Sequence, residues 1–193
     1  MAALAAALGM LAEEAAWKQR AADRRAVMQD LMYDAETGLY HDYDLVRRAQ
    51  NRKPFAAAFH AFWAGLYDDA PDDAKRAAAA LLKDLEMPFG LSTSTEVSGS
   101  QWDHPYGWPP LQYFAFAGLT RCGLQDDARR IAIKFAALAA RVFAERGALF
   151  EKYNVVSGNA DIHVVHGYHE NVTESGTFLW TAAVLKMARD YLS

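Results

Sequence analysis

Proline and glycine punctuate this chain into helix-length stretches of good helix formers, and that punctuation restricts its fold more than any other feature. Leu4 to Met32 carries Leu8, Leu11, Ala15, Ala22, Val27, Met28 and Leu31 with an amphipathic charge pattern, and Asp34 and Gly38 end it. Pro54 opens PFAAAFHAFWAGLY, in which Phe55, Phe59, Phe62 and Leu66 share a face. Pro71 precedes DDAKRAAAALLKDLEM, whose acidic start suits the positive end of a helix dipole. Pro109 and Pro110 start PPLQYFAFAGLTRCG, and Gln125 to Arg146 is a long helix with Ile131, Phe135, Leu138 and Val142 on one stripe and Gly147 behind it. Phe178 to Leu192 is the last helix. Between them, LYHDYDL and ALFEKYNVVSG read as short extended pieces, LSTSTEVSGS as a loop or strand pair, and Asn159 to Glu174 as a polar loop. No strand–helix–strand rhythm and no fixed repeat runs through the chain. The helices pair through alternating short and long connections. This pattern predicts an all-α domain over residues 1–193: an α/α-toroid with functional loops at one end, or a plain helical bundle.

Composition narrows the function. Of 193 residues, 52% are apolar, enough for a substantial core and against disorder. A net charge of −4 argues against binding a nucleic-acid backbone and weakly against an anionic membrane surface. The lone Cys122 rules out an internal disulfide framework and suits a reducing, cytoplasmic setting. The N-terminal MAALAAALGMLAEE lacks a basic start and meets Glu13 and Glu14 early, so it reads as an alanine-rich helix rather than a signal peptide.

Three stretches carry candidate chemistry. QWDHPYGWPPLQ, Gln101 to Gln112, packs two tryptophans, an aspartate and three prolines into twelve residues, so it is neither helix interior nor central strand. Trp102 and Trp108 either stack on a sugar ring, with Gln101 and Asp103 bonding its hydroxyls, or plug the core. In FEKYN, Glu151 is either a surface charge or, in an apolar cleft, a general base, with Lys152 beside it pointing to solvent. In HVVHGYHENVTESG, His163, His166 and His169 stand three apart before Glu170, but the glycine and asparagine favour a loop and the spacing matches no strong zinc pattern, so no metal is expected.

Together these stretches resemble the trehalases, inverting hydrolases of α,α-trehalose with an (α/α)6-barrel fold. QWDHPYGWPP matches their Q-W-D-x-P-x-G-W-x-P signature, FEKYN looks like their EKYD or EKYH segment, LYHDYDL is similar to their Y-x-D-Y-D piece, and GYHENVTESGTFLWTAAV resembles their GGGEY and Q-[ED]-G-F-G-W-T-N-G segments. The resemblance implies that Glu151 is the general base, that Glu170 contacts substrate, and that Gln101, Trp102, Asp103 and Trp108 shape the sugar pocket, with Trp180 packing the loop into the last helix. It implies no cofactor and a small sugar ligand, trehalose or another α-glucoside.

The chain departs from the family at four places. No E-S-G-W-D-x-S motif, the source of the family's general acid, precedes QWD, and several upstream arginines lack counterparts. Six or seven helices are about half of the twelve that a six-pair toroid needs. HVVHGYH replaces the glycines before Glu170, and Trp180-Thr181-Ala182-Ala183 replaces W-T-N-G. The expectation is therefore the C-terminal half of a trehalase fold, inactive alone, joined by self-association or a complementary N-terminal half. The alternative is a non-catalytic carbohydrate-binding or assembly protein.

Overall fold

The computed structural model describes residues 1–163 and 178–192 and is mostly helical. It divides into two compact units, residues 1–52 and 53–193.

The first unit holds α1 (Ala2–Ala7), α2 (Leu11–Leu31) and a hairpin of β1 (Asp42–Asp44) with β2 (Ala49–Asn51). The single amphipathic helix expected over Leu4 to Met32 is instead two helices. They are divided at Gly9, whose φ of +71° is left-handed backbone that glycine takes without penalty. Along α2 no side chain is buried, so its apolar residues do not form the core-facing stripe that the sequence suggested. After α2, the buried Asp34 carboxylate accepts from the Glu36 N–H (3.0 Å) and Thr37 Oγ1 (3.1 Å) and closes the turn. Gln50 Nε2 then donates to the carbonyls of Leu31 and Tyr33, tying the hairpin to the helix end.

The second unit contains α3 (Phe59–Trp63), α4 (Pro71–Leu85), α5 (Pro109–Arg121), α6 (Gln125–Arg146) and α7 (Leu179–Ala188). The helix expected from Pro54 begins later. Phe55 is extended and bridges to Ser94, a 3-10 turn follows at Ala56–Ala58, and only then does α3 start. Two two-stranded pairs connect the helices: β3 (Glu86–Met87) with β4 (Gly90–Leu91), and β5 (Tyr106–Gly107) with β6 (Tyr153–Asn154). The predicted α6 stripe is buried in full, and α4 buries Ala74, Ala77, Ala78, Leu81, Leu82 and Leu85, the i, i+3, i+4 spacing of one face. Helices α3 and α5 touch at Gly118, where an added Cβ would lie 2.7 Å from Phe62 Cβ and 2.8 Å from the Trp63 nitrogen. The buried Gln112 amide pins β4 to α5, accepting from the Leu91 N–H and donating to the Leu91 carbonyl, both at 2.8 Å.

Candidate functional site

The β5–β6 pair brings the two best candidate stretches together. Gly107 pairs with Tyr153 and Tyr106 with Asn154, and the Val155 N–H extends the ladder to the Pro105 carbonyl (3.0 Å). The Tyr106 carbonyl also accepts from the Thr93 N–H (2.8 Å) and Thr93 Oγ1 (2.7 Å). Position 107 must be glycine for this pairing, because a Cβ there would sit 2.7 Å from the Leu91 carbonyl oxygen. The proline loop is thereby held against FEKYN by backbone bonds, and α5 starts directly after it with Pro109 and Pro110 in its first turn.

Within the loop the two tryptophans stack on each other, ring centroids 3.6 Å apart and planes 6° from parallel. Trp108 is 2% exposed and Trp102 40%. Trp108 is thus the inner plate, its indole N–H donating to the Gln101 carbonyl (2.9 Å) and the Trp180 ring meeting it edge-on at 5.7 Å. Trp102 is the plate with surface left to offer. Asp103 is buried, and its carboxylate accepts from Ser94 Oγ and from the Ser98 N–H. Burial alone would raise its pKa, but these bonds from Ser94 and Ser98 and a further one from the His104 backbone outweigh burial and hold it below its ordinary 3.8. Its oxygens are therefore occupied by the loop's own donors. Gln101 Oε1 is buried and accepts no hydrogen bond from any described residue, which leaves an acceptor in the loop for a ligand or a water.

Glu151 lies in the bend before β6, its side chain 14% exposed. Lys152 does not point to solvent as its neighbour's position suggested. Its side chain is 2% exposed and its ammonium stands 2.6 Å from Glu151 Oε2 and 4.9 Å from the centre of the Trp108 ring. The turn is fixed around it: the Phe150 N–H donates to the Tyr153 hydroxyl (3.0 Å), and Thr181 Oγ1 at the start of α7 donates to the Phe150 carbonyl (2.6 Å). Tyr106 also reaches His163, its hydroxyl donating to that residue's carbonyl and accepting from its N–H. His166, His169 and Glu170 lie outside the described residues. Among the described ones no group of three or more His, Cys, Asp or Glu side chains could hold a metal ion.

Sequence reasoning misplaced Lys152 and passed over Gln112 and Ser94. Gln112 had a signal, a lone amide on an otherwise apolar helix start. Ser94 had none, because its role depends on a loop folding back across nine residues.

The chain's relatives show its family. The family model described as Trehalase matches residues 1–192. A periplasmic trehalase of Xanthomonas oryzae is 39% identical over 79% of this chain. A cytosolic neutral trehalase of Emericella nidulans is 34% identical over 72% of it, and human trehalase 31% identical over 86%. The chain spans only 26%, 20% and 28% of those proteins. Among solved structures, neutral trehalase from Saccharomyces cerevisiae superposes with a TM-score of 0.74 at 27% identity, over 93% of this chain and 31% of that one. A mannosylglycerate hydrolase from Thermus thermophilus shares the fold at 17% identity, with a TM-score of 0.66 over 97% of this chain. The α/α-toroid expectation holds, with this chain as one portion of such a fold. No helix among the described residues is long and apolar enough to cross a membrane. From its family match and its relatives, the chain belongs to the trehalase family.

Proposed function

We propose that this chain is the base-bearing portion of a trehalase-like glycoside hydrolase that cleaves trehalose or a related α-glucoside with inversion. The observation that carries this reading is the β5–β6 pair, which sets the Glu151 carboxylate and Lys152 beside the Trp102–Trp108 stack. A sugar stacks on the open surface of Trp102, and the free Gln101 Oε1 accepts from one of its hydroxyls. Glu151 takes a proton from water as the water oxygen bonds to the anomeric carbon. The bond to the departing glucosyl oxygen breaks as a carboxylic acid protonates that oxygen. The two carboxyls stand ~6.5–9.5 Å apart to admit the water. Trp108 and Asp103 serve the pocket by holding Trp102 and the loop in place, and Glu170 adds a substrate contact. The acid comes from trehalase sequence beyond these 193 residues, on the same polypeptide or a separate one. A cytoplasmic setting suits the free thiol of Cys122, although named relatives occupy both cytosol and periplasm.

Glucose release from trehalose tests the reading. The purified chain alone is expected to release none. Addition of an upstream trehalase segment bearing the E-S-G-W-D motif is expected to give release that Glu151→Gln abolishes. Hydrolysis by the chain alone would place the acid within it, and hydrolysis that survives Glu151→Gln would remove the assigned base.

The lack of an acid motif favours a second reading, a carbohydrate-binding protein without catalysis. It predicts calorimetric trehalose binding that survives Glu151→Gln and is lost in Trp102→Ala, with no hydrolysis under any complementation.

A further inference from the structure

Successive side chains of an extended segment ordinarily point to opposite sides. Glu151 and Lys152 do not: at the bend before β6 both turn to one point, and their charged ends meet at 2.6 Å. The Lys152 side chain is 2% exposed, and an ammonium taken out of water is costly unless its partners are well placed. The Glu151 carboxylate is one such partner. The Trp108 ring, 4.9 Å from the ammonium, is another, since an indole attracts a cation through its quadrupole. Trp108 is itself fixed by the Trp102 stack and by its N–H bond to Gln101. A run of contacts therefore extends from the exposed Trp102 through Trp108 and Lys152 to the Glu151 carboxylate. The steps of the proposed mechanism leave Lys152 unused, and a lysine needed only for solubility would keep its charge in water.

We propose that Lys152 is a positioning residue that holds the Glu151 carboxylate in one orientation, with the Trp108 indole steadying its ammonium. A base must meet its water within a few tenths of an ångström, and a second charged group that fixes one of its oxygens leaves the other free to accept the proton. The inference rests on the reading of Glu151 as the base.

The test uses the whole chain. Three-bond couplings about the Glu151 side chain report how many rotamers it visits. One rotamer is expected in the native chain, averaging in Lys152→Met, and a partial return to one rotamer in Lys152→Arg, which keeps the cation. A Glu151 side chain that stays in one rotamer in Lys152→Met overturns the inference. Should Lys152→Met fail to fold, the Lys152 ammonium resonance decides. Slow exchange in the native chain, lost in Glu151→Gln, supports the clamp, and fast exchange in the native chain overturns it. In the complemented hydrolysis assay, Lys152→Met is expected to lower kcat about 100-fold with KM changed less than about twofold. Activity lost in Glu151→Gln but unchanged in Lys152→Met removes Lys152 and leaves Glu151 as the base. Activity unchanged in Glu151→Gln removes the base, and the positioning role with it, whatever the couplings show.

Discussion

Asp103 is the residue whose chemistry the fold changes most. In sequence it is a carboxylate available to a sugar, whereas in the structure it organises the turn that carries Trp102. Its folded pKa lies below the ordinary 3.8, so the unfolded chain binds its proton first as the pH falls. The stability it contributes is then present in full above about pH 4 and fades as the pH drops through the lower folded value. Asp103→Asn is expected to lose about 1.5–3 kcal/mol at pH 7, since a bond to a charged acceptor is worth that much. Denaturant titrations at pH 7 and pH 3 check this: the gap between native and variant should shrink in acid, and a gap independent of pH would show that the carboxylate charge is irrelevant. The sequence places Trp102 and Trp108 together in one proline-rich loop, and the structure stacks them on each other. Their division into an exposed plate and a buried one was not legible, because it depends on how Lys152 and Trp180 close around the loop.

At the scale of elements, the chain's helices were legible where a face is buried. In α4 the proline and the acidic first turn marked the helix, and in α6 the apolar spacing marked both the helix and its inward side. The expectation failed for the first helix, where composition favours helix but no residue of α2 is buried, so no face is selected. It failed again at Phe55, whose backbone bridges to Ser94, a partner far away in sequence, instead of joining the helix. The approach of α3 to α5 is another long-range fact. Gly118→Ala would force a Cβ within 2.7 Å of Phe62 Cβ, and overpacking of this kind costs about 1–3 kcal/mol. Thermal unfolding should show a lowered midpoint for Gly118→Ala, and an unchanged midpoint would mean that α3 and α5 slide apart without penalty.

At the scale of the molecule, the chain matches 31% of a neutral trehalase that it otherwise resembles along almost its whole length. The first unit exposes Met1, Leu4, Leu8, Met10 and Leu11, and apolar surface of this kind tends to be covered by another copy or another segment. We expect the purified chain to self-associate in a concentration-dependent way, or to bind an upstream trehalase segment in preference. Light scattering checks this, and a monomer at every concentration, with the segment present or absent, would show that the patch has no such use.

By itself the sequence determined the helical class and the trehalase kinship, because propensity, periodicity and a signature motif are all local. Only the tertiary structure decided that Trp108 is buried under Trp102, that Asp103 serves the loop and that Lys152 turns inward onto Glu151. Asp103 needs only its own loop to fold back onto it, but Lys152 and Glu151 come beside Trp108 because the two short strands, Tyr106–Gly107 and Tyr153–Asn154, find each other across the whole of α5 and α6. Backbone pairing over that separation follows from packing the helices between them, and no local pattern of residues encodes it.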